Sequence, residues 1–480
     1  MSEKRLAGLQ PGAVFEYFEE LCAIPHGSHN TKAISDHIVA FAKEQGLRYI
    51  QDEANNVILF GEGTCGMEDH PPVILQGHMD MVCEKDADCT INMDTDGLDI
   101  GHDGSYVFAR GTTLGGDDGI AIAYAMALLV DKSIPHPPLE VIVTVDEEIG
   151  MLGANVIDVS MLKGKTLINL DSEDEGIFTV SCAGGARATL SLKVDRRTIY
   201  GPCVRLMVDG LRGGHSGAEI HKNRANANKV MGEFMSRITK LMPLCLTSFS
   251  GGSKDNAIPQ SCQATVVAMG IGIDRINAIA EELQAEIREK YDEPDANVQA
   301  FDVDALGGNS LTTEDTARVI ALLCAMPNGV QKYSADIPGL VQTSLNLGIA
   351  KLGEYFSVTS SIRSSVNQEK EELLEQLRKL CQFYDGSYSQ MGEYPAWEYN
   401  KDSALRDTMV RVYTEMFGKK PEILAIHAGL ECGLLGEKIP GLDCVSIGPQ
   451  MHDIHTSRER LDIASTERVW KFLLEVLKAL

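Results

Sequence analysis

Short apolar runs along this chain stop abruptly in polar or acidic residues. PPVILQ runs into GHMD, LEVIVTV into DEEIG, and KTLINL into DSEDE. Runs of this length, bounded this way, read as buried strands. Between the first two lies GIAIAYAMALLV, which starts at Gly119 and is long enough for a buried helix. Asp117 and Asp118 stand at its predicted beginning, where the helix dipole favours negative charge. Strand alternating with helix predicts an α/β sheet covered on both faces.

From about Arg187 the pattern changes to longer alternating strands and charged amphipathic helices. One helix is predicted over 275–291. Another covers 368–383, with Leu373, Leu374, Leu377 and Leu380 on one stripe that reads as core packing. Near the C-terminus LDCVSIG reads as a further buried strand. At 480 residues the chain exceeds one ordinary core. The economical division is one domain over 1–184 and 395–480, with a second inserted at 185–394 and glycine-rich CAGGA as the first crossing.

Composition fits a folded protein, with 44% hydrophobic and 23% charged residues. A net charge of −26 excludes nucleic acid and anionic membrane as expected partners, since both require a basic surface. No apolar stretch is long enough to span a bilayer, and MSEKRLAGLQ lacks a signal-peptide core, so the cytoplasm is the expected location. Twelve cysteines without a C-x-x-C pair predict buried reduced thiols.

The chemistry concentrates at the strand ends. In Gly77-His78-Met79-Asp80 the two polar side chains share a strand face, so the carboxylate can fix the imidazole tautomer. Asp117, the Asp146-Glu147-Glu148 run and Asp171 stand at comparable ends, where open α/β sheets place their ligands. Crowded carboxylates repel one another and are costly to desolvate, a cost that a divalent cation offsets. Histidine mixed with oxygen donors suits zinc, with manganese or cobalt as alternatives. Glu147 and Glu148 can divide the roles of water activation and metal ligation, in an order the residues themselves leave open.

Taken together, G-H-M-D, G-T-T-L-G-x-D, D-E-E-x-G and N-L-D resemble the M20 metallopeptidases over nearly the whole chain. GTTLGGDDGIA, VDEEIGMLGA, INLDSEDEG, RGGHSG, HAGLECG and IGPQMHDIHT are similar to its aminoacyl-histidine dipeptidase branch. This resemblance implies a zinc-peptidase-like catalytic domain with a mixed, mainly parallel sheet, plus an inserted α+β lid or dimerisation domain. It also implies two zinc ions bridged by Asp117, one completed by His78 and Asp171, the other by Glu148 and His455. Glu147 would be the general acid/base and Asp80 would orient His78. Asp171, where acylases usually carry Glu, implies substrates with a free amino end: dipeptides such as Xaa-His and β-alanyl-histidine.

Two positions compete with this assignment: His452 with His455, and Asp118 with Asp117. The family histidine precedes Ser or Thr and has an acid four residues on, which Thr456 and Glu459 supply. Ser457 replaces the usual proline and Gly116 the commoner alanine. In the inserted domain His215 resembles the family's oxyanion-stabilising histidine, reached by lid closure or across a homodimer. Asn256 and Arg363 resemble groups that hold the substrate backbone and carboxylate, and His427 and Glu431 are further substrate-binding candidates. Rival readings are a tripeptidase or amidohydrolase of the same family, or a non-catalytic peptide-binding scaffold. Serine hydrolysis is disfavoured by the lack of a G-x-S-x-G elbow at a strand end.

Overall fold

The structure, a computed structural model, describes residues 4–270, 272–305 and 307–480. The chain divides into two compact units. The first comprises Met1–Ser181, Tyr399–Ala425 and Leu430–Leu480; the second comprises Cys182–Glu398 and Ile426–Gly429.

Unit 1 is built on an eight-stranded mixed sheet. Its parallel centre runs Leu139–Thr144, Val73–His78, Thr166–Asn169 and Asp443–Ser446. Antiparallel strands flank it, Arg48–Gln51 and Val57–Gly61 on one side and Ile177–Cys182 on the other, and Glu422–Ile426 follows Ile177–Cys182 as the eighth strand. Every residue of Val73–His78 and of Leu139–Thr144 is buried. Continuous apolar runs form such strands because both faces of a parallel sheet are covered. The strand Asp443–Ser446, from the end of the chain, lies between Thr166–Asn169 and Ile177–Cys182.

The two faces are read from alternate residues. Val73 and Leu75 join the main core with Val141, Val143 and Ile168. The helix Gly116–Val130 packs against this face, and at Gly77 the approach is close. A Cβ there would lie 2.4 Å from Asp118 Oδ2 and 2.6 Å from the Ala121 Cβ, so only glycine fits. Tyr124 of this helix donates to the Thr466 carbonyl at 2.8 Å and stacks on Trp470 of the helix Ile463–Ala479. Gln76 and His78 point to the opposite face, where Gln76 meets Glu431 at the start of the helix Glu431–Lys438.

Unit 2 carries a nine-stranded sheet whose pairings are antiparallel. Helices Ala227–Thr239, Ile273–Tyr291, Thr313–Ala325 and Asn367–Phe383 accompany it. Leu373, Leu374 and Leu377 are buried in its core, and Leu380 packs at the margin.

No disulfide forms among the described residues, but burial holds for only eight of the twelve cysteines. Cys65, Cys83 and Cys324 are exposed and Cys89 is half-buried. Cys65 lies in a turn, Cys83 and Cys89 in irregular chain, and Cys324 on the final turn of the helix Thr313–Ala325. Among the described residues no helix is long and apolar enough to cross a membrane.

Candidate metal centre

Each parallel strand of unit 1 delivers its polar residues at the same carboxyl edge. His78 closes its strand with only 1% of its surface exposed. Its Nδ1 faces the Asp80 carbonyl at 2.9 Å, with the Asp80 carboxylate at 3.5 Å. The proton therefore belongs on Nδ1, and Nε2 is left as a lone-pair donor. That nitrogen lies 3.1 Å from Asp117 Oδ1 and 3.5 Å from Asp171 Oδ1. From the other end of the chain, His455 Nε2 lies 3.0 Å from Asp117 Oδ2 and 2.9 Å from Glu148 Oε1. One carboxylate thus presents each oxygen to a different imidazole.

Of the competing positions, His452 lies elsewhere, its ring edge-on to Tyr106 with centroids 5.7 Å apart. Asp118 stays close. Its ligand atom, with those of His78 and Asp171, falls within 4.8 Å of one another, as do those of His78, Asp117 and Glu148. Asp118 is wholly buried; Oδ2 accepts the His78 N–H at 3.2 Å, and Oδ1 has no hydrogen-bond partner.

A supporting layer holds these groups. Asp80 accepts from the Ser28 hydroxyl at 2.8 Å and from the Glu147 and Glu148 N–H groups at 3.0 and 3.4 Å. The two adjacent glutamates are thereby placed by one aspartate, after a turn in which Asp146 takes a positive φ of 55°. Glu459 accepts from four consecutive N–H groups, those of Leu114, Gly115, Gly116 and Asp117, at 2.8 to 3.4 Å. A Cβ on Gly116 would sit 3.2 Å from Glu459 Oε1 and 3.1 Å from Met451 Sδ, so a larger residue there requires these side chains to shift by a few tenths of an ångström. His455 itself has a φ of 58°, uncommon for a side chain of its size. Thr456 Oγ1 donates to the Asp453 carbonyl at 2.7 Å, and Ser457 reaches Asp86 at 2.5 Å, a bond that proline could not make.

Ser28, Gln76, Thr144 and Asn169 carry no sequence signature, because each is defined by a partner distant in the chain. Glu431, expected to touch substrate, has none of its surface exposed. Its carboxylate instead accepts from Gln76 and Thr144, each at 2.5 Å.

Without metal the cluster is rich in negative charge, and protons distribute accordingly. Burial favours a neutral His78, yet Asp171, Asp117 and Asp80 outweigh it and raise its pKa well above the usual value. Hydrogen bonds that its imidazole donates to Asp117 and Glu148 lift His455 to about 10. Asp117 is pushed down despite its burial, because both imidazoles bond to it. Burial and neighbouring carboxylates raise Asp118 and Glu147 far above the carboxylate range, Asp171 to about 6 and Glu173 to about 8. Burial likewise raises Glu431 to about 8. Asp80 stays low, its burial overcome by His78 and the donors around it. Protons are thus bound where cations would serve. A nitrogen-and-oxygen donor set with excess carboxylate and an unsatisfied Asp118 oxygen fits a divalent metal of the zinc class.

Unit 2 holds the other candidates. His215 and Ala257 pair on a short ribbon, and the Asn256 carbonyl accepts from the Ser216 N–H at 2.8 Å. His215 Nδ1 accepts from the N–H groups of Gly217 and Ala218 at 3.3 and 3.1 Å. Its proton therefore sits on Nε2, and burial together with Arg363 lowers its pKa. Arg363 donates to the Tyr394 hydroxyl at 3.3 Å, and its Nε has no hydrogen-bond partner among the described residues. His427 Nε2 meets Ser344 Oγ at 2.7 Å; burial and Arg363 lower its pKa to about 3.

Comparison with known proteins accords with this geometry. The chain is 36% identical to the cytosol non-specific dipeptidase of Escherichia coli, over 100% of this chain and 99% of that one. The crystal structure of aminoacylhistidine dipeptidase from Vibrio alginolyticus matches with a TM-score of 0.92 at 36% identity, covering 99% of this chain and 98% of the other. Aminopeptidase PepT from Bacillus cereus shares the fold alone, with a TM-score of 0.56 at 14% identity over 98% and 99% of the two chains. Residues 74–479 match peptidase family M20/M25/M40. The chain belongs to that family and is a peptide-bond hydrolase.

Proposed function

We propose that this peptidase is a di-zinc dipeptidase acting in the cytoplasm on small peptides with a free amino end, Xaa-His and β-alanyl-histidine among them. The observation that carries the reading is the placement of Asp117, one oxygen toward His78 and the other toward His455. Asp117 is assigned as the bridge, with His78 and Asp171 on one side and Glu148 and His455 on the other. The names of the two full-length relatives support dipeptides as the substrate class. Since one of them is called non-specific, histidine is proposed as an accepted second residue and not a required one.

When bound, the two cations would polarise the scissile carbonyl and ease deprotonation of the attacking water. Glu147 takes that proton on its carboxylate and returns it to the leaving nitrogen. Asp80 keeps His78 in one tautomer and, through its bonds to two backbone N–H groups, holds Glu147 and Glu148 in place. From unit 2, proposed as a lid and homodimer surface, His215 is assigned to the developing oxyanion through its Nε2 proton. Asn256 is assigned to the peptide backbone, and Arg363 to the terminal carboxylate that its planar fork suits. His427, neutral beside Arg363, is assigned to the same end of the substrate.

The test is hydrolysis of a dipeptide panel including carnosine, before and after chelation and with zinc or manganese restored. Activity is expected to vanish on chelation and return with metal. Full turnover by metal-free protein would refute the reading, and a preference for tripeptides would shift it to the rival within the family.

A further inference from the structure

Beneath the metal centre a second line of side chains crosses the sheet. Gln76 and Asn169 are register partners on adjacent parallel strands, and Thr144 is the register partner of His78 on the third. Asn169 Nδ2 donates to Gln76 Oε1 at 2.5 Å. Gln76 Nε2 and Thr144 Oγ1 both donate to Glu431 Oε2, each at 2.5 Å. Gln76 lies two residues before His78, Asn169 two before Asp171, and Thr144 three before Glu147. Side chains two apart share a strand face, so this row runs alongside the row that meets the metals. Glu431 is fully buried, and its second oxygen has no hydrogen-bond partner among the described residues. A buried carboxylate in so apolar a sheet is costly and calls for a return.

We propose that Glu431 is a positioning residue, the common acceptor of a side-chain crossbar that fixes the separation of the strands bearing His78, Asp171 and Glu147. The inference rests on the reading that His78 and Asp171 hold metal. It replaces a substrate contact for Glu431 with action through Gln76, Asn169 and Thr144. Glu431 accepts directly from the strands of His78 and Glu147 and reaches that of Asp171 through Gln76, so its loss relaxes several ligands together.

The test measures zinc affinity of the full chain by competition with a chromophoric chelator, without substrate, beside kcat and KM on a dipeptide. Glu431→Met is expected to weaken zinc binding about 10–100-fold, the usual effect of losing an outer-layer partner. The same variant should lose kcat and keep KM. Glu431→Gln should restore both, since one amide oxygen can still accept from Gln76 and Thr144. If circular dichroism shows Glu431→Met unfolded, Asn169→Leu cuts only the link to the Asp171 strand and should weaken zinc binding in the same direction. Wild-type zinc affinity in a folded Glu431→Met or Asn169→Leu chain overturns the proposal. So does a raised KM that Gln fails to restore, which would mark a direct contact with the peptide ammonium. A wild-type chain that binds zinc but cleaves no dipeptide defeats the proposed function and leaves this inference standing. One without zinc affinity defeats both.

Discussion

Two neighbouring glutamates, identical in chemistry and consecutive in the chain, are given different surroundings by a few ångströms of backbone. Glu148 reaches the His455 imidazole at 2.9 Å. Glu147 lies among His78, Asp171, Glu431 and Glu148, and its burial drives the carboxyl toward the protonated form until cations replace protons. Glu147→Gln should therefore lower kcat by about 10²–10⁴-fold, the usual contribution of a general acid/base. Metal content by mass spectrometry should be unchanged; loss of metal would instead make Glu147 a ligand. At this scale the sequence reveals residues whose neighbours are local. His78 with Asp80, and the acids that end apolar runs, stand out because strand periodicity and charge are both short-range. Gln76, Thr144 and Asn169 read as ordinary polar residues within apolar runs. Glu431, the acceptor for Gln76 and Thr144, comes more than 250 residues later, Asn169 joins them only through Gln76, and no local pattern links them.

At the scale of elements, the six-residue apolar runs are legible as strands because only a doubly covered strand tolerates them. The helix between the first two becomes regular at Gly119, where the apolar run starts, because Asp117 and Asp118 depart from helical backbone angles. The irregular turn before it is held by a carboxylate from the far end of the chain: Glu459 gathers four N–H groups of that turn and so places Asp117. Glu459→Ala leaves those donors without an acceptor in a buried turn. The expected cost is at least about 2 kcal/mol in denaturant unfolding, together with weaker zinc binding. A variant as stable as wild type would mean that water or a neighbour can replace the carboxylate. The sequence marks Glu459 only by its spacing from His455; its hold on residues 114–117 is a tertiary fact. In unit 2, by contrast, the stripe of Leu373, Leu374 and Leu377 predicts its own burial, since helical periodicity needs no distant partner.

Across the whole molecule, the negative charge of the sequence has a local counterpart in unit 1. Asp171, Glu173, Glu431 and Glu459 are all raised, to about 6, 8, 8 and 7, and His455 is raised to about 10. Each group binds its proton more tightly folded than unfolded, so the metal-free protein must lose stability as pH rises from about 6 toward 10. The carboxyls are destabilising once ionised, and the His455 contribution, complete below its unfolded pKa, fades as pH passes its folded one. Asp117, shifted down, opposes this trend only in acid. Thermal melts of chelated protein should therefore move to lower temperature between pH 6 and 9, and saturation with zinc should flatten the slope. A rising melting temperature over that interval would contradict the charge arrangement. The placement of the strand Asp443–Ser446 in the interior of the sheet also has a bearing on synthesis. While a ribosome is still translating the inserted unit, Thr166–Asn169 carries an open edge, and Ile177–Cys182, whose sheet neighbours Glu422–Ile426 and Asp443–Ser446 both come later, has no strand to pair with. Unit 2, all of which but Ile426–Gly429 lies within Cys182–Glu398, can largely close first. The nascent catalytic half must wait, exposed to edge pairing and to chaperones, until nearly its last residues arrive.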